Sequence, residues 1–145
     1  MKKVFLILVV AFMTLFAKET FSQNVMLNAN THETTVNRCA GYFYDNSSTA
    51  NYATSVDRWV TICPPASSAN TRTALTFEEF NIRPSDTVFI YQGVGINAPI
   101  MTTGNNIPYF QNQDLQGLTI MPSLMMNSPC LTLRLVSNGS ATASG

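Results

Sequence analysis

Apolar and polar positions alternate along much of this chain. Leu75 and Phe77 alternate with Thr76 and Glu78, and Leu131, Leu133 and Leu135 share one face of a run whose other face carries Thr132 and Arg134. A period of two places successive side chains on opposite faces of an extended strand, so both runs read as half-buried strands. Residues 87–91, Thr-Val-Phe-Ile-Tyr, are β-branched or aromatic throughout, as strands favour. Between them, Arg83-Pro84-Ser85-Asp86 predicts a tight turn, because Pro presets φ and the Ser and Asp side chains bond nearby backbone. Residues 73–93 are therefore expected to form a hairpin. Further strands are predicted at 56–63, at 118–121, near Ile96–Met101 and from Thr34 through Val36 to Tyr44. Residues 64–70 are Pro-rich and end a strand, 45–55 and 109–116 read as polar loops, and 125–129 reads as a turn. The pattern gives seven or eight short strands and no helix, an all-β sandwich or barrel.

Composition adjusts this picture at the N-terminus. The chain has 145 residues, no net charge, 46% hydrophobic and 11% charged residues, and a single domain is expected. Part of the apolar excess lies in the first sixteen residues, where Lys2-Lys3 precedes the apolar stretch 4–16. That stretch is shorter than the about 20 residues a spanning helix needs. With small residues Thr20 and Ser22 ahead of Gln23, residues 1–22 read as a secretory signal peptide. Residues 23–37 are then a polar leader or edge strand, and 38–145 form the domain. The expected location is secreted or cell surface, without stable membrane insertion. No cysteine follows the apolar stretch closely, which argues against a lipoprotein anchor. No basic surplus points to nucleic acid.

Several stretches carry a family resemblance. Phe77-x-x-Phe80-Asn81-Ile82, followed by Asp86-Thr87-Val88-Phe89-Ile90-Tyr91-Gln92-Gly93, resembles the central signature of CUB domains, extracellular β-sandwich modules. Cys39-Ala40-Gly41-Tyr42-Phe43-Tyr44-Asp45 with Asn51-Tyr52 resembles the opening of that family. Residues 59–64 resemble its second-cysteine strand in the form found in Bacteroidetes secreted proteins, and 130–140 its penultimate strand and following loop. The likeness runs from Cys39 to Gly145. It implies a jelly-roll-like sandwich of two antiparallel sheets, with a final strand expected after Gly145. It also implies a non-catalytic module that binds protein or carbohydrate through loops at one end, as the N-terminal part of a larger extracellular protein. A domain that only spaces its neighbours is the other reading.

Candidate chemistry is sparse. In an exported chain, Cys39 and Cys63 are expected to form a disulfide, and the resemblance implies the same pair. A metal site would need more than the one histidine, His32, and there is no C-x-x-C. Cys130 is then left over. Its expected partner lies outside this sequence, and Cys130 or an open sheet edge offers a route to self-association. A catalytic triad lacks a base, since His32 falls in the polar leader and the last lysine is Lys18. Glu78, Glu79, Asp86 and Asp114 read as solvated strand or turn residues rather than a glycosidase pair. Many CUB domains bind calcium through a glutamate and two aspartates. By resemblance these fall on Arg83, Asp86 and Asn138, with Ser140 beside the last. Two carboxylates are lost and a cation is added, so no calcium, other metal or cofactor is expected. Tyr42, Tyr44, Tyr52, Trp59, Phe89 and Tyr91 are expected mostly in the core, with a sugar- or protein-binding face as the alternative.

Overall fold

The computed structural model describes residues 24–38, 40–45, 51–65 and 71–139. The signal-peptide stretch, Cys39 and Ser140 onward lie outside these residues. Among them the chain forms eight strands and no helix, as an all-β fold requires. These are β1 (Val25–Met26), β2 (Thr34–Asn37), β3 (Phe43–Tyr44), β4 (Asp57–Cys63), β5 (Leu75–Thr76), β6 (Thr87–Tyr91), β7 (Thr119–Ile120) and β8 (Leu131–Val136). The main sheet has the order β2-β4-β8-β6, and two small sheets pair β1 with β3 and β5 with β7.

Register explains which side chains are buried. Val60 lies opposite Leu133 and Leu133 opposite Ile90, while Arg58, Leu135 and Val88 form the next row on that face. Val60, Ile90 and Leu131 are fully buried, and Val25, Leu27, Tyr52, Phe80, Ile82, Phe110 and Leu115 close over them. Phe43, Leu75 and Ile120 of the small sheets pack against the same cluster. Each fully buried Leu, Ile or Phe contributes roughly 1.5–3 kcal/mol, so this one face supplies most of the driving force.

The small sheets and the edge strand depart from expectation. Leu75–Thr76 pairs with Thr119–Ile120, and Thr87–Tyr91 pairs with β8, so 73–93 is not a hairpin. The turn itself forms, with Asp86 N donating to Arg83 O at 2.9 Å. Its local chemistry bends the chain, but the stronger burial of Val88 and Ile90 against Leu133 and Leu135 selects the partner. The strand expected near Ile96–Met101 is reduced to an isolated bridge between Tyr91 and Ile100. Two pairings, β1 with β3 and β2 with β4, are parallel rather than antiparallel.

The cysteines also differ. Cys63 is bonded to Cys130, not to Cys39. The β4–β8 ladder sets Ile62 opposite Leu131, so the next residues, Cys63 and Cys130, meet across the strands with Cα atoms 4.4 Å apart. That is the short separation of a non-hydrogen-bonded antiparallel pair, which brings side chains together. The expected Cys39–Cys63 pair is thereby replaced, and Cys130 is occupied rather than available for a bond between chains.

Candidate functional site

The main sheet has a second face, opposite the core, and the structure divides it in two. The half toward the disulfide is closed by the loop after β6. Thr61 and Thr132 are directly opposed and fully buried, with their hydroxyl oxygens 2.7 Å apart. Thr132 Oγ1 gives its single proton to Gly93 O at 2.8 Å, so Thr61 must donate to Thr132. Gly95 N donates to both hydroxyls, at 3.1 and 2.9 Å. Only glycine fits at 93, where φ is +154° and an added Cβ would come within 2.8 Å of Ala98 Cβ. The two threonines thus pin an apolar loop without leaving a buried polar atom unmatched.

The other half of that face is open among the described residues. Trp59, Arg134 and Phe89 lie in one row across β4, β8 and β6. Trp59 and Phe89 are half-buried and take no part in the core. Here the expectation that most aromatics fill the core fails, because strand alternation turns these rings outward. Tyr91 stays on the outer face but is buried beside Phe89, with ring centroids 6.5 Å apart, and Tyr109 meets Phe89 edge-on at 6.4 Å. Of the remaining tyrosines, Tyr52 is in the core, Tyr44 is half-buried and Tyr42 is exposed. The Arg134 guanidinium sits 5.8 Å from the Phe89 ring centroid and makes a two-pronged contact to Asp57, Nε to Oδ1 at 2.7 Å and the terminal nitrogen to Oδ2 at 2.6 Å. Hydrogen bonding to Arg134 holds the Asp57 carboxyl below its ordinary range, and Asp57 holds the guanidinium above its own. His32 packs edge-on to Trp59, accepts a hydrogen bond from Trp59 N through Nδ1, and lies 3.4 Å from Glu33. It is an exposed-side neighbour of the ring row rather than part of a loose leader.

A second constellation lies at the end of the sheet near the turn before β6. Asp86 is fully buried, Tyr52 Oη donates to its Oδ2 at 2.6 Å, and Asn138 N donates to its Oδ1 at 2.8 Å. Arg83 N donates in turn to Tyr52 Oη at 3.2 Å. The positions that resemblance assigned to a calcium site, Arg83, Asp86 and Asn138, are therefore brought together. Asp86 spends its carboxylate on internal donors, and among the described residues no group of three His, Cys, Asp or Glu side chains is arranged to hold a metal. Glu78, Glu79 and Asp114 are exposed; Asp114 accepts from Gln111 N at 2.8 Å, and the Gln111 side-chain amide donates to Asp86 O at 2.8 Å.

The third feature is an apolar loop end. Leu124 and Met125 are 84% and 90% exposed, and Val94, Ile96 and Met121 are exposed too. The loop holding Leu124 and Met125 is nonetheless tightly fixed. Arg72 donates to the carbonyl oxygens of Ser123, Leu124, Met126 and Ser128 at 2.8–3.5 Å. Ser123 N donates to Gln92 Oε1 at 2.8 Å, which ties this loop to the one after β6. Sequence reasoning passed over Arg72, because its partners are backbone carbonyls that any residue supplies. A cleft of about 390 Å³ between β3 and residues 71–75 is lined by Val25, Tyr42, Phe43 and Arg38 among others. Its rim residues Arg38, Ala40, Pro65 and Thr71 run directly into segments outside the described residues, and no ligand is assigned to it.

Compared with protein-family models, with curated proteins and with solved structures, the chain finds no match.

Proposed function

We propose that this chain is a secreted, non-catalytic binding module with a CUB-like jelly-roll sandwich, serving an extracellular protein at the cell surface. The observation that carries this reading is the loop end. An isolated spacer gains nothing by holding Leu124 and Met125 in water on a loop pinned by four hydrogen bonds from Arg72. Exposed apolar residues on a rigid support are what a protein interface provides, since little entropy is then lost on association. The occupant is a protein partner with an apolar contact surface, because Leu124 and Met125 project from the loop while the cation beside them, Arg72, is engaged by the loop's own carbonyl oxygens. What supports the CUB-like part is the meeting of Arg83, Asp86 and Asn138, positions the resemblance links, around the Tyr52 hydroxyl. Against it stands the disulfide, which joins Cys63 to Cys130 instead of following the family pattern. A cross-strand disulfide fits an oxidising compartment.

The test is a screen of the oxidised chain against extracellular protein and glycan arrays, repeated with Leu124→Ser/Met125→Ser. Specific protein binding that the double variant loses supports the reading. A clean, folded chain with no ligand on any array leaves only the spacer role.

A further inference from the structure

We propose that the open half of the outer sheet face is a binding site for a neutral glycan, with Trp59 and Phe89 as its stacking positions and Asp57 and Arg134 as its polar centre. The site is separate from the apolar loop end, so each reading stands or falls alone.

The geometry suits an extended sugar chain laid across the strands. Trp59 and Phe89 flank Arg134 in one register row, on strands two places apart, so their Cα atoms are about 10 Å from each other. The flat Arg134 guanidinium lies between them and over the Phe89 ring, so on that side a ligand meets the guanidinium plane together with the ring. A pyranose presents a face of C–H groups that stacks on such planar groups, and a rim of hydroxyls that donate and accept. Both needs are met here. Rings give apolar area at small conformational cost, since Phe89 is already braced by Tyr91 and Tyr109, and Trp59 by His32.

The polar centre selects for neutrality. Asp57 and Arg134 cancel each other's charge, while His32, which accepts from Trp59 N at Nδ1, leaves Glu33 as an exposed anion at the margin. A sulfated or uronic-acid chain would meet no uncompensated cation at this centre and would face Glu33 at its margin. The pair is partly open, with the Asp57 side chain 54% and the Arg134 side chain 28% exposed. A carboxylate has about four acceptor positions and a guanidinium five N–H donors, so their mutual contact leaves both able to serve hydroxyls. Thr35 and Thr87 lie on the same face and add hydroxyls at its margins.

Trp59 is the only tryptophan in the chain, so its emission reports on this face without any substitution. The experiment titrates the full oxidised chain with barley β-glucan, xyloglucan, xylan, galactomannan and dextran, with heparin and polygalacturonate as charged controls. Affinity electrophoresis through the same polysaccharides runs in parallel. The expected result is a saturable change in Trp59 emission, together with retardation, for at least one neutral glycan and insensitivity to added salt. Trp59→Ala and Phe89→Ala should each weaken retardation by about tenfold, equivalent to about 1.4 kcal/mol, while Leu124→Ser/Met125→Ser leaves it unchanged. Because a ring variant can misfold, the unsubstituted chain decides first. Three results overturn the proposal: no neutral glycan alters Trp59 emission, retardation occurs with Trp59 silent, or only the charged polymers bind and salt abolishes it.

Discussion

Tyr52 Oη donates a 2.6 Å hydrogen bond to Asp86 Oδ2, and both residues are sealed from solvent although 34 positions separate them. The same hydroxyl accepts from Arg83 N, so a single oxygen clasps the turn before β6 to the chain after β3. Tyr52→Phe removes the hydroxyl and keeps the ring. A hydrogen bond to a carboxylate contributes about 1.5–3 kcal/mol when its loss leaves a buried group short of a partner. The variant should unfold at lower urea with a loss in that range, and a loss below about 0.5 kcal/mol would mean that water replaces the hydroxyl freely.

The disulfide makes a sharp chemical prediction. Proteolysis of the native chain under non-reducing conditions, read by mass spectrometry, should yield a peptide pair joined through Cys63 and Cys130. A Cys39–Cys63 pair in its place would overturn the pairing described here. Replacing both bonded cysteines by serine opens a loop whose ends are 67 positions apart. The chain-entropy estimate for that length is about 4 kcal/mol, before any solvation effects in the unfolded chain. A double variant as stable as the oxidised parent would refute this contribution.

Arg72→Lys tests whether the loop end is held as argued. Lysine keeps the charge but lacks the planar fork that reaches several carbonyls at once. Limited proteolysis should then cut faster near Met125, and amide exchange at Met126 should speed up, while the melting of the sheet changes little. Equal cleavage rates in the two proteins would show that the loop is fixed by its own turn.

Acid should weaken the contact between Asp57 and Arg134 on the outer face. The Asp57 carboxyl is held below its ordinary range by Arg134, so its contribution is present above the unfolded value near 4 and fades as pH falls through the lower folded value. Solvent screening of this partly exposed pair limits the effect to about 1 kcal/mol or less. Between about pH 6 and pH 3, the parent should lose more stability than Asp57→Asn. Parallel acid limbs for the two would show that the pair contributes nothing.

What the sequence revealed follows burial on one face. Leu131, Leu133 and Leu135 were readable as a strand because the core stamps a period of two on them. The turn at Arg83–Asp86 was readable because its chemistry is local. Its partner strand was not, since Leu75–Thr76 joins Thr119–Ile120 through a distant register that no nearby residue encodes. The disulfide was missed for the same reason, as three cysteines permit several pairs and only the β4–β8 register chooses one. Trp59 and Phe89 were ambiguous because a ring suits a core or a ligand equally well, and alternation alone does not say which face meets the second layer.

The order of strands in the main sheet has a consequence for how the chain comes together. β8 lies between β4 and β6, yet it is the last of the described strands in sequence. Until residues 131–136 arrive, β6 has only isolated bridges to Ile100 and Phe110, and β4 has only the four residues of β2. Val60 and Ile90 must wait uncovered for Leu133. Closing so long a span before any reward makes assembly slow, and a chain emerging from its N-terminus stays adhesive until its centre is delivered last.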